Sequence, residues 1–490
     1  MRLLISHTFA ANVHNILGMS PGKHLVMIFQ LILSSTLALS AQGLFESSLA
    51  GDEQSAAGNV LSLGGYIRSV AYLGNTPEKE NPYLQSAYGE ASLQLHAKAG
   101  MIASARADIR FRYGTEFQHS VRNIELREAY ANLEAGPATF SIGKKILSWG
   151  KATFFNPVQK INPVDPTFRS PEEDDMNMGS WLAQGTLNMG KSMRITGTWK
   201  PVYQPSVLLI DPIPMPGYVR FIEPVYPSQE LDQGSYGVNF DLYTSLLDGS
   251  LYWFDGYHHW PGLAYESLTV DTLTLEPESL SIREEAYRIR MAGLDLAIPL
   301  GSWIIRAEGA WQQTVEDHTT REYLPFPEIS YTAEIERAGT YLNLVGGYYG
   351  KYILDFTPAG ATPTLSADQE MFYQLMQKGI IPDAATLDGM VTGQVDAFNR
   401  LYNYQLEEFY HTAFLVAKGF LWHDQLEITV PVIYHITTGE WIIQSGISYK
   451  PADGLKISAG YTGLYGPEDS LHDLVGPVLN AGYLSLKVTF

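Results

Sequence analysis

The sequence predicts an all-β protein, a transmembrane antiparallel β-barrel of about 18 strands, with 16 strands as the alternative. Three observations lead to this prediction. Segments of alternating polar and apolar residues recur along the chain, an apolar leader lies near its start, and short and long connections alternate between the segments. Outer-membrane barrels combine these features, because each strand turns one face to lipid and the other to the lumen.

The composition suits this fold and disfavours other classes of protein. The 490 residues include 44 Gly, 30 Tyr and 20 Phe, which is typical of many strands and tight turns. The absence of cysteine excludes disulfides, thiolate metal sites and a cysteine nucleophile. A formal net charge of −20 makes nucleic acid a poor partner, and no cofactor is predicted.

The leader predicts the compartment. A basic residue and then an apolar run at 25–33 are followed by small residues, so 1–41 is interpreted as a signal peptide, with Met19 as an alternative start. We expect a short periplasmic segment at 42–60 and the barrel at 61–490. The predicted location is the outer membrane of a Gram-negative bacterium, with its lipid as a partner.

Alternation within the strand segments predicts which residues face the lumen. Charged residues occupy one face of 104–113 and of 303–313, and apolar residues occupy the other. Ile109, Phe111, Ile305 and Trp311 are therefore expected to face lipid. The charged faces either line an aqueous channel or brace the wall by ion pairing. The predicted lumen-lining residues are Arg106, Asp108, Arg110, Arg112, Arg288, Arg290, Arg306 and Glu308.

The connections predict the strand count. Short turns are expected at 98–101, 134–137, 189–192, 247–250, 299–302, 346–350, 418–422 and 450–454. The opposite connections are expected at 73–83, 114–121, 149–178, 203–233, 259–284, 315–333, 358–404, 436–439 and 466–478. These turns give 18 strands with both chain ends on one side, and 16 strands remain without the turn at 346–350 and one other.

Two further segments have distinct roles in this prediction. Helices are expected at 366–379 and 384–402, either in the longest outer loop or folded into the pore.

The chain ends in Phe490 after apolar residues at alternate positions, which resembles the signal read by the bacterial barrel assembly machinery. That machinery is therefore an expected partner.

The connection at 149–178 is too aromatic for a free loop. Asn-Pro and Asp-Pro dipeptides prevent a regular strand there, and irregular backbone is tolerated in a wet lumen but not against lipid. We predict that 149–165 folds inward as a constriction loop. Its key residues are predicted to be Trp149, Phe154, Phe155, Asn156, Asn162 and Asp165.

The stretch from 126 to 166 resembles the signature of the DUF1302-type family of porin-like outer-membrane barrels. The matching residues are LREAY at 126–130, Gly143, Lys144, Trp149, Gly150, the Asn-Pro pairs at 156–157 and 162–163, and Asp165. Thr153 and Gln159 stand where the family usually has Asp. The resemblance implies a channel for hydrophobic or lipid-like compounds that works with inner-membrane transporters.

Other sites and functions stay open at this point. The acidic run at 172–175 offers ligands to Ca²⁺ but lacks the spacing of a calcium loop, so a solvated loop is favoured and no metal is predicted. His258 and His259 are interpreted as interfacial residues beside Trp260. No GxSxG or HExxH motif is present, so an enzyme is not predicted. We expect a channel for small or partly hydrophobic solutes; the alternatives are a structural or adhesive barrel acting through its outer loops and, more remotely, an outer-membrane hydrolase.

Overall fold

The structure is a computed structural model that describes residues 60–74, 82–209, 216–270, 277–360 and 384–490. The chain divides into two units, Met1–Ser62 and Leu63–Phe490. The predicted signal peptide at 1–41, with its alternative start at Met19, and the predicted helix at 366–379 lie outside the described residues.

Strands dominate the described part of the second unit. In chain order they are β1 (Val60–Gly74), β2 (Tyr83–Ala99), β3 (Ala103–Glu116), β4 (His119–Ala135), β5 (Ala138–Lys145), β6 (Ser180–Met189), β7 (Met193–Lys200), β8 (Val219–Phe221), β9 (Ser235–Tyr243), β10 (Asp248–Tyr257), β11 (Gly262–Val270), β12 (Pro277–Glu285), β13 (Arg288–Leu300), β14 (Trp303–Thr314), β15 (Glu328–Arg337), β16 (Leu342–Ile353), β17 (Phe409–Leu421), β18 (Leu426–His435), β19 (Glu440–Ala452), β20 (Leu455–Tyr465) and β21 (Ala481–Thr489).

Eighteen of these strands form one closed antiparallel sheet. Each barrel strand pairs with the preceding and the following one, and β1 closes the barrel on β21, with Tyr66 opposite Thr489. The predicted all-β barrel of 18 strands is thereby confirmed. The strands β8, β11 and β12 form a separate small sheet within the long connections.

The turn predicted at 346–350 is wrong, because β16 runs through it and the chain turns at 338–341 instead. A Cβ atom at Gly347 would lie 2.2 Å from the ring of Phe414. The glycine therefore makes room for an aromatic ring inside the barrel rather than marking a turn. The connection predicted at 114–121 is also short, since Phe117 and Gln118 alone join β3 to β4 with positive φ angles of 46° and 68°.

Alternate residues of the barrel strands face opposite sides of the wall. Phe111 and Ile305 are exposed on the outer face, at 44% and 39%. Their neighbours Arg110 and Arg306 point inward, where both form ion pairs. This arrangement follows from the period of two along a strand.

Helices lie in two of the long connections. The helix α1 (Ala384–Tyr402) confirms the helix predicted at 384–402. The shorter α2 (Leu471–Leu479) was not predicted; the side chain of Ser470 caps it by accepting a hydrogen bond from the backbone NH of Asp473. Within the described residues, neither helix has the length and apolarity needed to cross a membrane.

Candidate functional site

The connection between β5 and β6, residues 146–179, lies inside the barrel, and we call it the inner segment. It contacts inward-facing side chains around much of the wall, from β1 to β21. Its first half packs against an apolar region of the wall, whereas its second half forms ion pairs with a charged region.

The first half is held by an apolar cluster. The Trp149 ring lies 5.1 Å from the ring of Tyr252 and meets that of Phe254 edge-on at 6.4 Å. Val158 and Ile161 are 0% and 1% exposed. Burial of side chains of this size stabilises the packed state by roughly 1.5–3 kcal/mol each. We call the apolar anchor the set Leu147, Trp149, Val158, Ile161, Tyr252, Phe254, Ile289, Met291 and Ala310.

Two further aromatic residues of the inner segment pack on β16 and β17. The ring of Phe155 stacks on that of Tyr349 at 4.7 Å, and Phe154 lies 5.8 Å from Phe414. Phe155 also contacts Phe414 at 5.6 Å. Both phenylalanines therefore cover the inner wall rather than standing free in the lumen.

Carboxylates of the wall bind the backbone of the inner segment. Glu308 accepts hydrogen bonds from the backbone NH groups of Lys151 and Ala152. Glu334 accepts from the NH and hydroxyl of Thr153 at 2.9 and 2.7 Å. An aspartate in place of Thr153 would bring a second carboxylate against Glu334, which is unfavourable for like charges. Threonine at position 153, where the family usually has aspartate, therefore suits the carboxylate of Glu334 that it contacts.

One carboxylate in the second half of the inner segment pairs with three arginines of the wall. Asp175 lies 2.8 Å from Arg68, 2.8 Å from Arg110 and 3.4 Å from Arg127, and Ser170 donates to it at 2.6 Å. Burial opposes the charge of Asp175, but the arginines and the Ser170 hydroxyl hold the pKa of its carboxyl well below its usual range. We call the charged anchor the set Asp175, Arg68, Arg110 and Arg127.

Other charges extend this anchor along the wall. Glu90 bridges Arg68 and Arg112, with both N–O distances at 2.7 Å. The guanidinium of Arg112 also lies 3.2 Å from the ring centre of Phe168 in the inner segment. Glu172 accepts from Lys487 at 2.9 Å.

The interpretation of the acidic run at 172–175 as a solvated loop is therefore wrong for two of its members. Glu172 and Asp175 pair with cations of the barrel wall. The sequence could not identify these partners, because they come from strands far along the chain. Across the described ranges, no group of three or more His, Asp or Glu residues is arranged to hold a metal ion.

The predicted orientation of Arg288 and Arg290 is wrong. Ile289 and Met291 point inward and are fully buried in the apolar anchor. The two arginines face outward and pair with Asp255 at 2.7 and 3.1 Å, and the Arg290 side chain is 47% exposed. The physical reason is that the inner segment supplies apolar side chains here, so Ile289 and Met291 at the start of β13 turn inward.

The other predicted lumen residues face the interior. Arg106 lies 3.7 Å from Glu128, and Asp108 accepts from Ser92 at 2.8 Å. The contacts of the remaining members of the set, Arg110, Arg112, Arg306 and Glu308, are with the inner segment or with neighbouring wall carboxylates.

The family signature folds the inner segment upon itself. Asn162 accepts from the backbone NH of Leu147 at 3.0 Å and donates to its carbonyl. Asn156 makes the same kind of bridge, accepting from Gln159 and donating to Trp149. These amides supply the backbone partners that a strand would otherwise provide.

Two further signature residues shape turns. Asp165 accepts from the backbone NH of Thr167 at 3.0 Å. Gly150 has a φ of +85°, and a Cβ atom there would lie 2.4 Å from the side chain of Asn156. Only glycine fits this close approach without strain.

The LREAY strand holds the same segment from the wall. Arg127 lies at a register shift between β3 and β4, and it donates to backbone carbonyls of Asp174 and Asp175 as well as to the Asp175 carboxylate. Glu128 accepts from the backbone NH of Ile146 at 3.0 Å. An arginine out of step with the alternation was the signal in the sequence that could have indicated this contact.

Open space remains on two sides of the inner segment. A cavity of about 410 Å³ lies against β4 to β9, with Glu134, Thr139 and Arg194 in its lining. A second cavity of about 380 Å³ lies against β17 to β20 and is lined by Phe154, Lys418 and other residues. Both cavities reach residues next to the short turns.

Two smaller cavities lie on the side of the long connections. One, of about 280 Å³, is polar and includes Lys160, His258 and His259; the other, of about 260 Å³, is mainly apolar. The interpretation of the two histidines as interfacial residues is wrong, because both are buried and their rings stack at 4.9 Å.

The chain is similar to one protein family and to solved structures. The family model described as "Protein of unknown function (DUF1302)" matches residues 74–489. No curated protein matches the chain. Among solved structures, OccK2 (OpdF) of Pseudomonas aeruginosa in complex with glucuronate aligns with a TM-score of 0.50 and 11% identity, covering 90% of this chain and 99% of that one. OccAB4 of Acinetobacter baumannii aligns with a TM-score of 0.49 and 10% identity, covering 88% of this chain and 97% of that one. The outer membrane channel DcaP of the same species aligns with a TM-score of 0.40 and 8% identity, covering 88% of this chain and 98% of that one.

Proposed function

The chain belongs to the DUF1302 family, and we propose that it is a porin-like channel of the bacterial outer membrane. It passes small or partly hydrophobic solutes, and residues 149–165 act as its constriction loop. Assembly through the terminal Phe490 and cooperation with an inner-membrane transporter belong to the same proposal.

One observation carries this proposal. An irregular segment crosses the interior of a closed barrel and is anchored on two different parts of the wall, while polar cavities remain beside it. A purely structural barrel has no need of a lumen with polar space on both sides of a fixed constriction. Barrels of this size leave an aqueous channel unless it is filled.

The lining of the cavity on the β17 to β20 side supports a partly hydrophobic solute. Phe154 and Tyr483 provide apolar surface, whereas Lys418, Glu427 and Lys456 provide charged groups. Such a mixture of an apolar lining with a few polar groups is common in ligand sites. A solute with both kinds of surface would contact both.

Planar-bilayer conductance of the refolded chain tests the proposal. The double variant Phe154→Ala/Phe155→Ala removes two rings that narrow the lumen, so we expect its single-channel conductance to rise above that of the unaltered chain. The outward-facing Phe140→Ala is the matched control and should conduct normally. Deletion of residues 151–162 should raise the conductance further, and heat stability of the barrel would show that the deleted variant is folded.

Two outcomes would contradict the proposal. Unchanged conductance in both folded variants would place the inner segment outside the permeation path. If neither the unaltered chain nor its variants conducted, a structural or adhesive barrel acting through its outer loops would be favoured.

A further inference from the structure

We propose that the two cavities on the long-connection side form one binding site for an amphipathic monocarboxylate, with Lys160 holding the carboxylate. The inference rests on the proposed channel function and deepens it, because it names the class of solute. The polar chamber would take the head of the solute, and the apolar chamber would take its hydrocarbon or aromatic part.

The polar chamber carries one unbalanced positive charge. Lys351 and Glu328 form an ion pair at 2.6 Å and cancel each other. Lys160 lies on the inner segment, and no carboxylate of the described residues is within ion-pair distance of its ammonium group. Burial lowers the pKa of Lys160, so a bound anion would restore the partner that the ammonium lacks.

A second polar group of this chamber is also unpartnered. Gln312 is only 5% exposed, and its side-chain oxygen makes no hydrogen bond within the described part of the chain. Buried amides normally find partners, and their absence indicates a place for a ligand or water. The Gln312 oxygen accepts hydrogen bonds, so a water that donates to it would bridge it to a carboxylate held by Lys160 in the same chamber.

The two histidines of the chamber do not add to the charge, since burial lowers the pKa of His259 well below its usual value. Burial, followed by the nearby charge of Lys160, lowers the pKa of His258 to about 3. Its ring is therefore neutral at pH 7, and it stacks on Tyr287 at 5.3 Å. The net charge of the chamber is thus that of Lys160 alone, which suits a single carboxylate.

The apolar chamber is built from the outer connections. Its lining comes from the segment after β7, from the start of β11 and from both helices, and it includes Leu208, Leu263, Phe398, Leu474 and Val475. An apolar lining of this kind favours a hydrocarbon or aromatic group.

The two chambers share a wall. Trp260 and Tyr402 line both, and their rings meet edge-on at 5.7 Å. Each chamber alone is slightly smaller than an ordinary ligand pocket of about 300 Å³ or more. A single ligand that passes the two rings would fill both and would be bound at each end.

Calorimetric titration of the full chain in lipid nanodiscs tests the site. The probes are 4-phenylbutyrate and its neutral amide, which differ in charge but hardly in size. We expect the unaltered chain to bind the acid about 10- to 100-fold more tightly than the amide, as a charged hydrogen-bond partner implies. Lys160→Met should abolish this preference, and Lys160→Arg should retain most of it.

Two further variants complete the design. Lys191→Met, on the exposed turn after β6, changes the net charge equally and should keep the preference. Val475→Trp fills the apolar chamber and should weaken binding of both probes. Equal binding of acid and amide by the unaltered chain, an unchanged preference in Lys160→Met, or unchanged binding in Val475→Trp would each overturn the proposal.

A failure of the proposed binding site can be distinguished from a failure of the proposed channel. Nanodisc binding does not require conduction, so conductance without a preference for the acid would remove the site and leave the channel. A preference for the acid without conductance would leave the binding site and remove the proposed channel.

Discussion

The apolar anchor and the charged anchor hold the same segment to the same wall by different interactions. In the apolar anchor, many side chains each contribute a small share of non-directional burial. In the charged anchor, one carboxylate meets three guanidinium groups. Loss of one apolar group leaves the others in place, whereas loss of Asp175 leaves three buried cations without their common partner.

This difference shows where the inner segment is most sensitive to change. Packing tolerates a slightly smaller side chain at modest cost. A buried ion network depends on every member, because an unpaired charge in the interior is strongly unfavourable. A single substitution should therefore cost more stability in the second half of the inner segment than in the first half.

The largest effect is expected from Asp175→Asn. Removing the charge takes the ion-pair partner from Arg110 and Arg127 and leaves Arg68 with Glu90, and we expect the free energy of unfolding in lipid vesicles to fall by about 3–5 kcal/mol. Asp174→Asn is the matched control, because Arg127 contacts the backbone carbonyl of Asp174 and that contact survives the change. Equal losses in the two variants would show that the three guanidinium groups do not depend on Asp175.

Acidification should have the next largest effect on the free energy of unfolding, and it should act beside the apolar anchor and not at the charged anchor. His258 stacks on Tyr287, a buried residue of the same hydrophobic cluster as the apolar anchor, and its folded-state pKa of about 3 lies below the usual value of about 6.5. The unfolded chain therefore binds the proton first, and stability falls as the pH drops from about 6.5 towards 3. From pH 7 to pH 5 we expect His258 to account for a loss of about 2 kcal/mol.

The charged anchor should not contribute to that loss. Asp175 has a depressed pKa, so its stabilisation is present above about pH 4 and declines only below it. Urea unfolding at pH 7 and pH 5 measures the effect. His258→Gln should reduce the dependence by about 2 kcal/mol, while the buried His259 still contributes. His423→Gln, on an exposed turn, should leave the dependence as it is; a dependence that survives His258→Gln unchanged would refute the assignment.

A smaller effect is expected from Ile161→Val. Removing one methylene from a fully buried position of the apolar anchor should cost about 0.5–1.5 kcal/mol, because the neighbouring side chains remain packed. Ile222→Val, at an exposed position of an outer connection, should change stability by less than about 0.5 kcal/mol. If Ile161→Val were as damaging as Asp175→Asn, the contrast between the anchors would be lost.

The smallest effect is expected from Arg290→Ala. Its ion pair with Asp255 is on the outer face and largely exposed, so its loss should cost about 0–1 kcal/mol. Arg110→Ala, which removes an inward-facing arginine, should cost about 3–5 kcal/mol. A comparable loss from both variants would contradict the outward orientation of Arg290.

The candidate site was predictable only in part. The aromatic and Asn-Pro composition of 149–165 marks an irregular segment, and the structure places its Trp149 and Asn162 inside the barrel. Asp175 and Lys160 could not be identified in this way. Their roles depend on residues from β1, β3, β4 and β15 or on a cavity, and no local pattern relates those positions to each other.

The sequence by itself determined an antiparallel barrel, because period-two alternation and short turns are local properties of the chain, and the structure decided between 18 and 16 strands. The sequence also determined that each strand has two unlike faces. Only the tertiary structure decided which face of β13 is inside, since Ile289 and Met291 turn inward where Trp149 and Val158 meet them. A strand buries whichever face finds complementary surface, and here that surface belongs to a segment more than a hundred residues earlier in the chain.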